Sequence, residues 1–294
     1  MMLILKILHR IVEHPLNQHD KWGAALRFFK WQLSSRLTSY PIIHAFTSNS
    51  KLIIGNGMTG ATGNLYCGLH EFSDMAFVLH FLRAGDTFVD IGANIGSYTV
   101  LASAHVGAST ICFEPVPKAF AALLDNLAIN HISEQVTTYR TALGAAEGSI
   151  AFTSTLDTVN HVATEGNTQA ITVPIMTLDG VLEGTNPILL KIDVEGFETE
   201  VLRGAQHVLE NPSLQAIIIE LNGAGARYGF DEAHIHQQLT LAGFTPYAYQ
   251  PFERKLAKKD PASKTQNTIY IRDVAIVNSR IQLAENVKIN GRTF

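Results

Sequence analysis

The stretch that decides the fold is Val89–Gly96, which has the sequence Val-Asp-Ile-Gly-Ala-Asn-Ile-Gly. Its first three residues complete an apolar run, Thr87–Ile91, that has the length of a buried strand, and an apolar helical pattern follows from about Ser97. A strand, a tight turn of small residues and a helix form a nucleotide-type binding site at the carboxyl end of a parallel strand. The stretch therefore predicts an α/β domain with a cofactor site at this turn.

The residues of the turn distinguish between cofactors. A dinucleotide-binding turn would have glycine at positions 92, 94 and 97, whereas this chain has Gly92, Asn94 and Ser97, and its last glycine comes one residue early, at Gly96. Asparagine tolerates left-handed backbone better than most residues, so the turn can still form. The Asp90 carboxylate would repel a pyrophosphate, but it suits the cationic ammonium and sulfonium groups of S-adenosylmethionine. The turn therefore favours S-adenosylmethionine; the alternative is an ordinary strand–helix turn without a ligand.

The next predicted strand, Thr110–Phe113, is followed by an acidic residue, Glu114. It lies about 20 residues after the glycine turn, where a carboxylate can accept hydrogen bonds from both hydroxyls of a ribose. Because NAD also contains ribose, Glu114 by itself does not separate the two cofactors. A favourable charge at the N-terminus of the following helix is the alternative explanation.

Composition and charge are those of an ordinary globular chain. The 294 residues are 46% hydrophobic and 16% charged, which suits one large α/β domain with extensions or two small domains. The formal net charge of −4 predicts no nucleic-acid partner. The two cysteines, Cys67 and Cys112, cannot form a disulfide framework, and a cytoplasmic location is expected.

The N-terminal segment allows two interpretations. Residues 1–12 are apolar with two cations, Lys6 and Arg10, and lack the charge order and cleavage site of a signal peptide. No apolar stretch is long enough to span a membrane. We expect an amphipathic helix that packs on the domain, within an N-terminal helical extension over residues 1–64. The alternative is a peripheral membrane helix.

From about Gly85 onward, apolar strands alternate with helical patterns, which is typical of a doubly wound sheet. A basic loop is expected between the last two strands, and residues 155–169 are predicted to form a loop. The predicted strands of the sheet are 87–91, 110–113, 136–139, 188–193, 216–220, 245–249 and 268–272.

Charged residues interrupt the fourth predicted strand. A central parallel strand is normally almost wholly apolar, but Lys191 and Asp193 alternate onto one face and Glu195 continues the series. Burying such groups unpaired is costly. An inert ion pair of Lys191 with Asp193 or Glu220 is one explanation. We favour an active site, because perturbed ionisable groups cluster there and these lie at the carboxyl end of a strand.

The fifth predicted strand also ends in polar residues, Glu220 and Asn222. In a classical strand order they would lie next to Asp193. Two carboxylates and an amide oxygen can hold Mg²⁺, but they can equally position a substrate hydroxyl. Mg²⁺ therefore stays open, and no metal ligand is assigned.

Together these motifs resemble the FkbM-type S-adenosylmethionine-dependent methyltransferases. The resemblance extends from about Leu65 to Arg272, and residues 65–294 are assigned to a methyltransferase domain. It implies the class I methyltransferase fold, a Rossmann-like seven-stranded sheet of order 3-2-1-4-5-7-6 with an antiparallel seventh strand. The motifs that carry it are Asp90–Gly96, Glu114-Pro115 and Lys191–Gly196, with Gly68–Phe72, Leu202–Ala205 and Ile219–Gly223 in addition.

The resemblance also implies methyl transfer to an oxygen, often a sugar hydroxyl of a glycan or a natural product. The expected partner is thus a small-molecule or glycan acceptor, and the expected product of the methyl donor is S-adenosylhomocysteine. An NAD-dependent oxidoreductase and a non-catalytic adenosylmethionine-binding module are the alternatives. Asp90 and the missing glycine at position 94 argue against the oxidoreductase.

Each site residue is assigned a role. Asp193 is the first candidate for the base or hydroxyl orienter, and Lys191 would hold the carboxylates or stabilise negative charge on oxygen. Glu195, Glu220 and the loop residue His161, which titrates in the useful range, are further catalytic candidates. The predicted cofactor residues are Asp90, Gly92, Asn94 and Gly96 for the methionyl part, Glu114 for the ribose, and Ala142 and Leu143 for the adenine.

Overall fold

The computed structural model describes residues 2–38, 40–156, 159–164, 170–260 and 267–294. The helices are α1 (Met2–Glu13), α2 (Lys21–Leu37), α3 (Thr59–Cys67), α4 (Phe72–Phe81), α5 (Ser97–Val100), α6 (Pro117–Ile129), α7 (Leu178–Val181), α8 (Glu198–Arg203), α9 (Gln206–Glu210), α10 (Glu232–Leu241) and α11 (Val274–Gln282). The strands are β1 (Ile42–Ala45), β2 (Lys51–Ile54), β3 (Thr87–Ile91), β4 (Ser109–Phe113), β5 (Val136–Tyr139), β6 (Ala142–Leu143), β7 (Gly148–Thr153), β8 (Ala170–Met176), β9 (Leu189–Ile192), β10 (Ala216–Ile219), β11 (Thr245–Gln250), β12 (Lys255–Lys258), β13 (Thr268–Ile271), β14 (Lys288–Ile289) and β15 (Arg292–Thr293).

The central sheet has the strand order β12-β11-β13-β10-β9-β3-β4-β5. Strands β3, β4, β5, β9 and β10 are parallel, whereas β13 is antiparallel to both β10 and β11. Without the edge strand β12, this is the predicted order 3-2-1-4-5-7-6 with an antiparallel seventh strand. The α/β class I fold expected from the sequence is therefore confirmed.

The expected basic loop between the last two strands contains an additional edge strand. β12 forms an antiparallel hairpin with β11, in which Lys258 is opposite Tyr247 and Lys255 is opposite Gln250. Both lysines are exposed. Lysine at a sheet edge is a common means of preventing pairing with other chains, which explains why this strand has the composition of a loop.

Alternate residues of the central strands belong to two separate apolar cores, one on each face of the sheet. Phe88 and Ile218 pack with α4, α6 and α11 on one face, whereas Val89 and Ile217 pack with α8, α9 and α10 on the other. Both faces of the sheet are thus covered, and the carboxyl ends of the strands are left for a site.

The N-terminal layer joins the first of these cores, and it is not wholly helical. Helices α1 and α2 are followed by the β1–β2 hairpin. Strand β2 is held against α6, because the Asn126 and Asn130 side chains accept hydrogen bonds from the backbone N–H groups of Ile53 and Lys51, both at 2.8 Å. These contacts join positions more than 70 residues apart, so no local sequence pattern predicts them.

The domain boundary at residue 64 stays a prediction. Within the described residues, no helix is both long and apolar enough to cross a bilayer.

Candidate active site

A cavity of about 280 Å³ opens at the carboxyl ends of β3, β4, β9 and β10. This is where open α/β sheets bind their ligands, and the volume is near the lower limit for small-molecule pockets. The cavity is lined by Thr59, Gly60, Asn64, His70, Glu71, Met75, Asp90, Ile91, Gly92, Ala93, Asn94, Ile95, Ser97, Tyr98, Phe113, Glu114, Pro115, Thr141, Ala142, Leu143, Phe152, Asn160, Val162, Lys191, Asp193, Val194, Glu195, Phe197 and Glu220.

The glycine turn after β3 forms one wall of this cavity, with the backbone that its sequence predicts. Gly92, Asn94 and Gly96 all have positive φ, at +80°, +51° and +86°. A Cβ atom on Gly92 would lie 1.9 Å from the carbonyl oxygen of Asp193. Glycine is therefore needed at position 92 both for its conformation and because the chain after β9 passes directly against it.

We expect Gly92→Ala to lower the free energy of unfolding by about 2–3 kcal/mol, because it combines an unfavourable φ with a backbone collision. Urea denaturation measures the loss. Gly243 is the matched control, since its φ is +90° but no atom lies within 4 Å of its would-be Cβ. Gly243→Ala should therefore lose only about 1 kcal/mol. Equal losses in the two variants would contradict the close approach at Gly92.

Glu114 fixes the turn from the neighbouring strand. Its two carboxylate oxygens accept hydrogen bonds from the backbone N–H groups of Asn94 at 2.9 Å and Val116 at 2.8 Å. Burial raises the pKa of Glu114 to about 7, although both N–H groups oppose the shift. Each oxygen keeps a second lone pair, so the carboxylate can still accept from a diol at the cavity wall.

Asp90 lies beside the turn and is only 1% exposed. Its Oδ2 accepts hydrogen bonds from the Thr99 hydroxyl at 2.7 Å and the Thr99 backbone N–H at 3.1 Å. Its Oδ1 is buried and has no hydrogen-bond partner among the described residues. Burial raises the pKa of Asp90, with Lys191 and Thr99 acting in the opposite direction. A buried carboxylate at the cavity wall suits a cationic ligand group, because its negative charge attracts a cation.

The far wall consists of residues that follow β5. Ala142 and Leu143 form β6, which pairs with β8 at the side of the cavity. Both side chains are buried and apolar. Together with Phe113 they provide a surface on which a flat ring can pack.

Lys191 is a buried cation at the base of the cavity. Its Nζ donates a hydrogen bond to Asp193 Oδ2 at 2.7 Å and lies 4.6 Å from the centre of the Tyr98 ring. Burial alone would lower the pKa of Lys191, but the carboxylates of Asp193, Glu71 and Asp90 together outweigh it and raise the pKa. The Tyr98 hydroxyl in turn donates to Glu71 at 2.9 Å. Lys191 is therefore held in its charged form against Asp193.

Three carboxylates converge beside Lys191. Oxygen atoms of Asp193, Glu195 and Glu220 lie within 4.8 Å of one another, and all three side chains are half-buried. Burial and the nearby carboxylates of Asp193 and Glu198 raise the pKa of Glu195 to about 7. Burial, with repulsion from Asp193 and Glu195, raises the pKa of Glu220 to about 8. The cluster therefore holds protons near neutral pH.

The raised pKa of Glu220 predicts a pH-dependent gain in stability for Glu220→Gln. The folded state favours the protonated carboxyl, so Glu220 contributes stability that is fully present below its ordinary pKa of 4.5 and is lost as the pH rises from there to about 8. Glutamine carries no charge at any pH. We expect the variant to match the wild type at about pH 4, and to exceed it at pH 9 by about 1–2 kcal/mol after allowance for solvent screening. Denaturation curves at the two pH values measure this, and a constant difference would contradict it.

Glu198, which sequence reasoning missed, supports the loop that presents these carboxylates. Its Oε1 accepts from the backbone N–H groups of Val194 at 3.2 Å and Gly196 at 3.1 Å, and the residue is 4% exposed. It thereby stabilises a backbone in which Glu195 has a φ of +54°. The only signal in the sequence was its spacing, three residues after Glu195.

Other predicted polar residues lie elsewhere. His161 is buried, its Nδ1 lies 2.8 Å from the carbonyl oxygen of Val159, and it is not among the lining residues, whereas its neighbours Asn160 and Val162 are. Asn222 is exposed, and its Oδ1 accepts a hydrogen bond from the backbone N–H of Ala224 at 2.9 Å, within the turn after β10. The carboxylate cluster thus contains Glu195 in the place expected for Asn222.

Comparisons with known proteins point to one family. A sequence model of the "Methyltransferase FkbM domain" matches residues 90–246. The hexuronic acid methyltransferase AglP of Haloferax volcanii is 31% identical over 143 residues, which are 47% of this chain and 56% of AglP. The 31-O-demethyl-FK506 methyltransferase FkbM of Streptomyces tacrolimicus is 38% identical over 68 residues, which are 22% of this chain and 26% of that protein. The crystal structure of Methyltransferase FkbM from Methylobacillus flagellatus matches with a TM-score of 0.45 at 12% identity, covering 85% of this chain and 60% of the other. The chain therefore spans little more than half the length of AglP, and less of the Streptomyces protein.

Proposed function

Since this chain belongs to the FkbM methyltransferase family, we propose that it is an S-adenosylmethionine-dependent O-methyltransferase whose acceptor is a sugar hydroxyl on a glycan or glycosylated metabolite. The observation that carries the proposal is the pair of carboxylates at the glycine turn, Asp90 and Glu114. Asp90 is a buried carboxylate at the cavity wall, and its negative charge fits the ammonium of the methionyl part. Glu114, across the turn, fits the ribose hydroxyls.

S-Adenosylmethionine, when bound, supplies an activated methyl group, so the protein has chiefly to align the acceptor and accept its proton. We propose that Gly92, Asn94 and Gly96 shape the backbone around the methionyl part, and that Ala142 and Leu143 pack against the adenine. Gly92, Asn94, Ala142 and Leu143 line the cavity, and Gly96 lies in the turn between the lining residues Ile95 and Ser97.

For the acceptor, we propose Asp193 as the group that orients the hydroxyl and takes its proton. Lys191 holds one oxygen of this carboxylate at 2.7 Å, which fixes the direction of the carboxylate. Glu195 and Glu220, with pKa values of about 7 and 8, can receive the proton from Asp193 and release it near neutral pH.

The sugar assignment rests on AglP, which is described as a hexuronic acid methyltransferase, and on the apolar and aromatic part of the cavity lining. Phe152, Val162 and Phe197 line the cavity, and the Tyr228 ring packs edge-on against Phe197 at 5.4 Å. Aromatic faces beside carboxylates suit the apolar faces and hydroxyls of a sugar ring. With His161 turned towards Val159, we propose Asn160 as the polar residue that this loop offers to the acceptor.

We assign no metal ion to Asp193, Glu195 and Glu220. The Lys191 ammonium and the protons that the raised pKa values retain already balance much of the charge of this cluster. Mg²⁺ dependence is tested by comparing turnover with excess Mg²⁺ and with EDTA. A cytoplasmic location likewise remains a prediction; both cysteines are free and buried.

Isothermal titration tests the methyl donor. We expect S-adenosylhomocysteine to bind with a micromolar Kd and NAD to show no binding at the same concentrations, because the Asp90 carboxylate repels a pyrophosphate. Tight NAD binding without S-adenosylhomocysteine binding would instead support an oxidoreductase. Incubation with labelled S-adenosylmethionine and glycan fractions, followed by mass spectrometry, tests the acceptor, and labelling of fractions that lack sugars would contradict it.

A further inference from the structure

Helix α2 has apolar side chains on two opposite sides, and only one of these sides is buried. Ala24, Phe28 and Trp31 face the core and are at most 7% exposed. The opposite side carries Trp22, Leu26, Phe29, Leu33 and Leu37, which we call the apolar stripe, with exposed fractions from 53% to 90%. At 100° per residue, these five positions fall within one narrow sector of the helix.

Neighbouring elements expose further apolar side chains. Helix α1 packs against α2 and exposes Ile4 and Leu5, while Tyr40 and Ile43, just after α2, are 83% and 64% exposed. Scattered exposed apolar residues are normal on a folded protein, but five large ones on a single face of one helix mark an interaction surface.

Cations surround this apolar surface. On α2, Lys30 and Arg36 lie at the two borders of the stripe, and both are exposed. The whole chain has a net charge of −4, yet its first 58 residues are strongly basic. They contain Lys6, Arg10, Lys21, Arg27, Lys30, Arg36 and Lys51, against Glu13 and Asp20.

The surface is connected to the candidate active site through α3. The Gln32 side chain of α2 donates to the Tyr66 hydroxyl of α3 at 3.1 Å, and Thr59, Gly60 and Asn64 of the same helix line the cavity. Helix α3 thus contacts both α2 and the cavity.

We propose that the apolar stripe docks on a lipid surface with anionic headgroups. Aromatic and aliphatic side chains bordered by lysine and arginine match the interface of such a membrane, where rings and methyl groups enter the acyl boundary and cations meet lipid phosphates. The inference moves the predicted membrane contact from the first helix alone to α2, and it is independent of the methyl-transfer reaction.

The fluorescence of Trp22 reports directly on contact between the stripe and a membrane. The chain has two tryptophans, of which Trp22 is 90% exposed and Trp31 is 7% exposed. Addition of phosphatidylcholine–phosphatidylglycerol vesicles should shift the fluorescence of Trp22 to shorter wavelength and sediment the protein, and salt should weaken the binding. Trp22→Phe should lose the shift but still sediment. Absence of both shift and sedimentation for the folded wild type at low salt overturns the proposal.

Paired substitutions in and around the apolar stripe test whether these residues make the membrane contact. Leu26→Ser with Leu33→Ser should lower vesicle partitioning by about tenfold or more, and Lys30→Glu with Arg36→Glu should abolish the preference for anionic over neutral vesicles. Leu241→Ser with Leu283→Ser is the matched control, because both leucines are exposed to at least 80% elsewhere on the chain, and it should partition like the wild type. Equal partitioning of both leucine pairs overturns the proposal.

A second copy of the chain is the competing occupant of the stripe. Light scattering after gel filtration decides between a second copy and a lipid surface. The lipid proposal is overturned if the wild type is a dimer that does not bind vesicles, and if Leu26→Ser with Leu33→Ser converts this dimer to a monomer. A monomeric wild type that binds vesicles supports it.

Discussion

Asp193→Asn is expected to lower kcat for methyl transfer by about a hundredfold to ten-thousandfold, the range that removal of a general base produces. Asparagine keeps the shape of the side chain but cannot take a proton from the acceptor. S-Adenosylhomocysteine should bind nearly as in the wild type, because the cofactor residues at the glycine turn are unchanged. Turnover of labelled S-adenosylmethionine, measured on the glycan fraction that the wild type labels, gives kcat, and titration gives the Kd.

The salt bridge with Lys191 requires a second variant. Asp193→Asn leaves the buried Lys191 ammonium without its partner at 2.7 Å, which lowers stability in its own right. The double variant Lys191→Met with Asp193→Asn removes the buried charge and should be folded but equally inactive. Asp125→Asn, at an exposed position of α6, is the matched control and should have wild-type kcat. Wild-type turnover in the folded double variant would refute the assignment and favour an inert ion pair.

Asp90→Asn is expected to raise the Kd for S-adenosylhomocysteine by about a hundredfold to a thousandfold, because it removes the buried charge that pairs with the ligand ammonium. Asparagine can still accept from Thr99, so the turn should keep its geometry. Since burial raises the pKa of Asp90, the ligand-free variant should also be at least as stable as the wild type above neutral pH.

Weaker binding and undiminished stability must occur together for this interpretation to hold. Thermal unfolding without ligand measures stability, and isothermal titration measures the Kd. Glu114→Gln serves as a comparison variant. It should weaken S-adenosylhomocysteine binding less than Asp90→Asn does, but it should disturb the turn more, because the Glu114 carboxylate accepts hydrogen bonds from the backbone N–H groups of Asn94 and Val116. Unchanged affinity in Asp90→Asn would show that the charge of the Asp90 carboxylate has no part in ligand binding.

The central sheet was predictable because its signals are local. Strands β3 and β5 have the bounds that apolar runs predicted, and the positive φ values of Gly92, Asn94 and Gly96 are what a tight turn of these residues requires. The additional strand β12 was not predictable, since its lysines have the composition of a loop and only the pairing with β11 makes it a strand.

The charged residues of the site were predictable for each strand separately, but their arrangement in space was not. The alternation of Lys191 and Asp193 indicated a charged strand end, and the structure pairs them. That Glu195 joins Asp193 and Glu220, whereas Asn222 is used in a turn, depends on how the loops after β9 and β10 pack against each other. Gly196 is part of that packing, because a Cβ there would lie 2.6 Å from the Ala224 backbone.

The sequence by itself determined the seven strands of the central sheet other than β12, the glycine turn and the charged strand end, because short-range backbone geometry and apolar periodicity encode them. Only the tertiary structure decided which side of α2 is buried. That helix is apolar on two opposite sides, so its apolar periodicity does not predict which side faces the core. In the structure Phe28 and Trp31 pack into the core, and Trp22 and Phe29 are therefore exposed to solvent. Which side chains are buried depends on the packing of the whole chain, and the same packing therefore decides which apolar surface is left exposed for a partner.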